Sequence, residues 1–194
     1  MSTPKYYYAT LILKAHLGSR LREGESLADP VLVLGDHQLP LRAFKSLKTR
    51  LQAKPDLLGE EVYFSLFPKT TREGKLSDLS HVIWLGKETE ESKNKEGFKA
   101  LGELRYVSKE EAFFVLKIWP NPDGKLKESF KLTLFANLDL LESLPPVGSG
   151  LEVWGEIKPK SLRIMVTSFE QLDLPPKSKL ALAEGRRKRK VKKE

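Results

Sequence analysis

Cysteine is absent from this chain of 194 residues. That excludes disulfides, thiolate metal sites and cysteine nucleophiles. Long apolar runs are missing too, and no stretch approaches the roughly 20 residues that a membrane-crossing helix needs. The opening MSTPKYYYATLIL lacks the basic start, apolar stretch and small-residue cleavage site of a secretory signal, so none is expected. Histidine is sparse: His16, His37 and His81 stand far apart, with no HxH or HExxH spacing, and no metal site is expected. No Gly-rich phosphate loop, GxSxG or Walker pattern occurs. The adjacent acids Glu90–Glu91 and Glu110–Glu111 cannot flank one bond as a catalytic pair, because neighbouring strand residues face opposite ways. The sequence predicts a non-catalytic protein without cofactor or metal.

Charge is present but unevenly placed. The net charge of +8 comes almost wholly from residues 176–194, which hold nine Lys/Arg against two Glu. The remaining 175 residues carry 25 basic and 24 acidic side chains. Within them, residues 1–95 have 15 basic and 12 acidic groups, and residues 96–175 have 10 and 12. The body is nearly neutral, so a broad electrostatic face for polyanions is not expected of it.

The middle of the chain repeats. Residues 41–69 laid over 132–160 give nine identities in 29 positions without a gap, where average composition gives roughly two. They pair Leu41 with Leu132, Phe44 with Phe135, Leu47 with Leu138, Pro55 with Pro146 and Gly59 with Gly150. Glu61 and Val62 meet Glu152 and Val153, and Pro68 and Lys69 meet Pro159 and Lys160. Each copy reads as a strand, a short helix and a further strand. Asn137 is the expected N-cap of the second helix, with Ser46 in the same register of the first. Pro146 and Pro55 stop the helices. Strands are expected at 6–15, 30–35, 61–67 and 80–86 in the first copy. In the second they are expected at 99–107, 111–119, 128–135, 151–158 and 162–169.

The order strand, strand, strand, helix, strand, strand resembles the OB-fold (oligonucleotide/oligosaccharide-binding), a five-stranded Greek-key barrel plugged by a helix between strands three and four. The resemblance is clearest over 98–172 and weaker over 5–86, where Pro40 breaks the third strand. It concerns architecture and names no specific family. It implies a mostly β chain: barrel one at 1–86, a charged linker at 87–97, barrel two at 98–174, and a disordered basic tail at 175–194.

Three places carry candidate nucleic-acid contacts. In the tail, seven of the nine residues of RRKRKVKKE are basic: Arg186, Arg187, Lys188, Arg189, Lys190, Lys192 and Lys193. Such a block displaces counterions from phosphates without sequence preference. It also suits a nuclear-import signal, an acidic protein or an anionic lipid surface. The second place is EAFFVLKIW, where alternation buries Ala112, Phe114, Leu116 and Ile118 and turns Phe113, Val115, Lys117 and Trp119 to solvent. Lys131 adjoins from the next strand and Arg105 from the previous one, the mix of rings and cations on which unpaired bases stack. The third is loops of the first barrel: Arg20 and Arg22, and the inserted KTTREGK with Lys69, Arg72 and Lys75. Tyr6, Tyr7 and Tyr8 read as a strand start with alternate rings buried.

The sequence thus points to a tandem-barrel protein that binds single-stranded DNA or RNA, since stacking platforms need unpaired bases and no recognition helix is evident. The expected compartment is cytoplasmic or nucleoid-associated, or nuclear in a eukaryote. The alternative is a protein–protein interaction or assembly subunit whose near-neutral barrels bury their rings against a partner while the tail contacts an acidic surface.

Overall fold

The computed structural model describes residues 6–21, 23–87, 89–90, 95–122 and 126–175. The chain runs β1 (Tyr8–Arg20), β2 (Asp29–Leu34), β3 (His37–Pro40), β4 (Arg42–Ala43), α1 (Lys45–Gln52), β5 (Glu61–Phe67) and β6 (His81–Gly86). It continues β7 (Gly97–Ser108), β8 (Phe113–Ile118), β9 (Phe130–Phe135), α2 (Leu138–Ser143), β10 (Gly150–Lys158) and β11 (Arg163–Leu172).

The strands make two hydrogen-bonded circuits. In the second half β7 pairs with β8, β8 with β9, β9 in parallel with β11, β11 with β10, and β10 again with β7. In the first half β1 pairs with β2 and β5, β2 with β3, β5 with β6, and β6 in parallel with β4. β3 and β4 are one strand broken at the fully buried Leu41, directly after Pro40, whose missing N–H removes a ladder bond.

The circuits are joined edge to edge. β1 is 13 residues long, and β2 covers only its C-terminal end, from His16 to Arg20. The uncovered N-terminal part pairs antiparallel with β7, from Tyr8↔Leu101 to Ile12↔Gly97. All the strands therefore form one continuous sheet, and the buried side chains of both halves form one cluster, with Leu11, Phe64 and Leu66 beside Phe98, Phe114 and Leu132. Gly97, the expected end of the linker, is the first residue of β7.

The two halves repeat their contacts. Val62 faces Ala15 across β1–β5, and Val153 faces Ala100 across β7–β10. Lys14 pairs with Glu61 at 2.8 Å, and Lys99 with Glu152 at 2.9 Å. Counterparts on β1 and β7 lie 85 positions apart, so Ile12 corresponds to Gly97, the residue opposite it. The joint therefore has the register of a local two-fold axis. Counterparts from the third strand onward lie 91 apart. The β8–β9 connection is the longer one, since the first half has only the turn at Gly35 and Asp36 there, and a shorter β7–β8 turn partly offsets it.

That connection supplies part of the joint. The side-chain amide of Asn121 accepts from the Tyr7 N–H at 2.8 Å and donates to the Tyr7 carbonyl at 2.9 Å, as a strand neighbour would. Tyr7 is buried and its hydroxyl donates to the Pro175 carbonyl. Burial, and then the hydrogen bond from the Tyr8 hydroxyl to the Glu152 carboxylate, hold that phenol well above its usual range.

The helices differ in how they begin. Asn137 caps α2, accepting from the Leu140 N–H at 2.9 Å. Ser46 does not cap α1: that helix starts two positions earlier in register, at Lys45, and places Phe44 at the N-cap with no side-chain bond. α1 ends at Gln52, and Pro55 opens a short 3-10 turn.

Candidate nucleic-acid interface

The outer face of β7, β8 and β9 holds Phe113, Lys117 and Lys131 of the expected residues. β8 alternates as its sequence predicts: Phe114, Leu116 and Ile118 are fully buried, while Phe113, Val115 and Lys117 face outward and are half-buried. β7 does not alternate throughout. Its register with β8 shifts between Leu104 and Tyr106, leaving Arg105 as an extra residue in a bulge. Bulges re-aim side chains, and here both Arg105 and Tyr106 come to the surface.

The face has an aromatic end and a charged end. At the aromatic end Tyr106, 53% exposed, lies 5.8 Å from Phe113, which lies 6.1 Å from Phe135. The Arg163 guanidinium sits 4.4 Å over the Phe135 ring. At the charged end Glu103, Lys117 and Lys131 stand side by side across three strands. Glu103 is buried, accepting from Trp119 Nε1 at 2.5 Å and from Arg105 at 2.8 Å.

Trp119 departs from the expectation of a solvent-facing ring. β8 ends at Ile118, the chain turns, and the indole folds over Glu103 with Lys117 Nζ 3.3 Å from its ring, leaving Trp119 7% exposed. It is a lid on a buried carboxylate and offers no open stacking face. Arg105 is turned to the same carboxylate. Phe113, Lys117 and Lys131 remain together on the face, joined by Tyr106, Phe135 and Arg163, which sequence reasoning missed. Strand alternation turns Tyr106 inward, and the bulge that reverses it leaves no mark in composition.

The inserted loop of the first half does not stand free. Lys69 Nζ lies 3.2 Å over the Phe130 ring of the other half, and Phe67 contacts the same ring at 5.2 Å. Burial there pushes the Lys69 ammonium down to about 8, partly opposed by Glu128. Beyond it, Thr70 Oγ1 accepts from the Thr133 N–H at 2.9 Å, and Leu76 N–H donates to the Leu162 carbonyl at 2.7 Å. Lys75 bridges to Arg163. The loop thus fills the seam between β9 and β11, where those strands share a single bridged pair. Gly74 makes the fit, since at φ 75° a Cβ on it would stand 2.4 Å from the Phe135 ring. Arg72 and Lys75 keep their side chains exposed, beside the aromatic end.

Arg20 is exposed at the end of β1, in the other circuit and 85 positions before Arg105, its counterpart. Arg22 and the tail residues Arg186, Arg187, Lys188, Arg189, Lys190, Lys192 and Lys193 lie outside the described residues. Among the described residues no cluster of His, Asp and Glu could hold a metal, and no helix is long and apolar enough to cross a membrane.

The architecture is mostly β and of OB type. A solved structure shares it: a deletion variant of the single-stranded DNA binding protein from Thermus aquaticus, at 14% identity and a TM-score of 0.50, over 88% of this chain and 98% of that one. The likeness is in fold, and 88% of the chain is more than either circuit holds alone. No family model matches the chain, and no curated protein matches it.

Proposed function

We propose that the protein is a non-catalytic, single-stranded nucleic-acid-binding protein of two tandem OB-type barrels, 1–86 and 98–174, each plugged by its helix. Unpaired bases stack along Tyr106 and Phe113, while Lys117, Lys131, Arg72 and Lys75 track the backbone. The basic residues of 175–194 add affinity without sequence preference. The observation that carries this reading is the row of rings Tyr106–Phe113–Phe135, flanked by Arg163, on the outer face of a fold shared with a single-stranded DNA binding protein.

Titration of labelled single-stranded DNA and RNA across a salt series tests it. Tyr106→Ala and Phe113→Ala are each expected to weaken binding by about 1–3 kcal/mol, the worth of one stacked base. Removing residues 176–194 should flatten the salt dependence and leave residual, Tyr106-dependent binding. No binding at low salt overturns the reading. Binding lost wholly with the tail and indifferent to Tyr106 removes the barrel face from it. An assembly role predicts a stoichiometric protein partner and no affinity for free oligonucleotide.

A further inference from the structure

A second set of rings lies between the halves, and none of the residues assigned above lines it. A cleft of about 400 Å3 is lined by Tyr7, Tyr8, Phe44, Phe67, His81 and Ile83, with Asn121 and Leu126 from the other half. We propose that this cleft receives one unpaired nucleobase of a bound single strand, stacked against Phe44 and His81, with the adjoining phosphate held at Arg42.

Three observations support that occupant. The first is the cost of Phe44. It takes the N-cap of α1, where Ser, Thr, Asp or Asn would stabilise the helix, and it makes no capping bond. Its ring is 62% exposed and lies 5.9 Å from the His81 ring, with Ile83, 50% exposed, in the same lining. A rule of local stability broken beside an open apolar surface marks a site under another demand. In the second half the matching Phe135 is buried and the cap is Asn137.

The second is charge. Arg42 is directly opposite His81 across the β4–β6 pair, and Lys69 stands 5.6 Å from the Phe67 ring at the cleft's other side. Both cations act on His81: burial first, then Arg42 and then Lys69 hold its imidazole below the usual range, against a backbone hydrogen bond. The shift favours the neutral ring, and Arg42 and Lys69 flank the cleft. An aliphatic side chain from a protein partner would fill the apolar wall and leave Arg42 without an anion, whereas a nucleotide satisfies both. The third is size, since the cleft falls within the range of small-ligand sites and admits a base with its sugar.

The inference rests on the proposed single-strand binding, and the test separates the two. A thiopyrimidine-substituted single strand is photocrosslinked to the full chain, and the attached peptides are mapped. Crosslinks are expected at the peptides holding Phe44 and His81 as well as those holding Tyr106 and Phe113. Phe44→Ala and Arg42→Gln, both on exposed side chains, should each weaken binding about five- to a hundredfold with the unfolding midpoint undiminished. Crosslinks at Tyr106 and Phe113 alone, with Phe44→Ala binding normally, overturn the cleft and leave the proposed function standing. A strand that neither binds nor crosslinks overturns both. Affinity of Phe44→Ala lost together with its folding is resolved by Arg42→Gln: normal binding by that variant overturns the phosphate contact.

Discussion

Lys69 and Tyr7 meet burial in opposite ways. The Lys69 ammonium, stacked on Phe130, titrates at about 8 in the folded chain against 10.5 for an ordinary lysine. Between those values the unfolded chain holds a proton that the folded chain has released, so stability rises with pH across that window. Burial, with the nearby Glu103 carboxylate, pushes the Tyr7 phenol to about 12 from 10. Its contribution is complete below pH 10 and is lost as pH rises through 12. Urea midpoints measured from pH 7 to 12 should therefore climb above pH 8 and fall beyond pH 10. Lys69→Met should abolish the climb and be the more stable protein at pH 7. Tyr7→Phe should reduce the fall, with the raised Tyr8 phenol supplying the remainder.

At the scale of the element, the two helices test what a cap is worth. Asn137 satisfies an orphan amide of the first turn of α2, and Asn137→Ala should cost about 1 kcal/mol by chemical denaturation. Ser46 lies inside α1, and Ser46→Ala should change stability little, since alanine is the better helix former. Phe44→Asp should stabilise α1 by a similar amount in the same measurement. The strands carry a parallel lesson. β8 follows simple alternation because it pairs with β9 without a shift and the extra residue of its irregular ladder with β7 lies on β7, where the bulge sends two consecutive side chains to solvent.

At the scale of the molecule, the joint makes the halves interdependent. The β1–β7 ladder, the Asn121 amide on the Tyr7 backbone and the loop across the β9–β11 seam all bridge the circuits. Thermal or urea unfolding should show one cooperative transition, with probes at Trp84 in the first half and Trp154 in the second changing together. Asn121→Ala removes the Tyr7 N–H's partner and should shift that single transition by about 1–3 kcal/mol. Two separated transitions would mean that each circuit holds itself.

The division between sequence and tertiary structure follows the range of each cause. Helix stops at Pro55 and Pro146, the Asn137 cap, the break at Pro40 and the buried face of β8 are set by neighbours within a few residues, and the sequence determined them. The repeated punctuation from Leu41 to Lys160 likewise sets the two halves in register. Only the tertiary structure decided where the charges and rings ended up. The loop that begins at Lys69 reads as a free arm, because nothing local states that Phe130 and the β9–β11 seam lie beneath it. Trp119 reads as open until Glu103 is brought to its indole N–H. The cleft at Phe44 and His81 draws its walls from residues as distant as Tyr8 and Leu126. Packing between the halves alone brings them together, and no pattern of period two or 3.6 can report it.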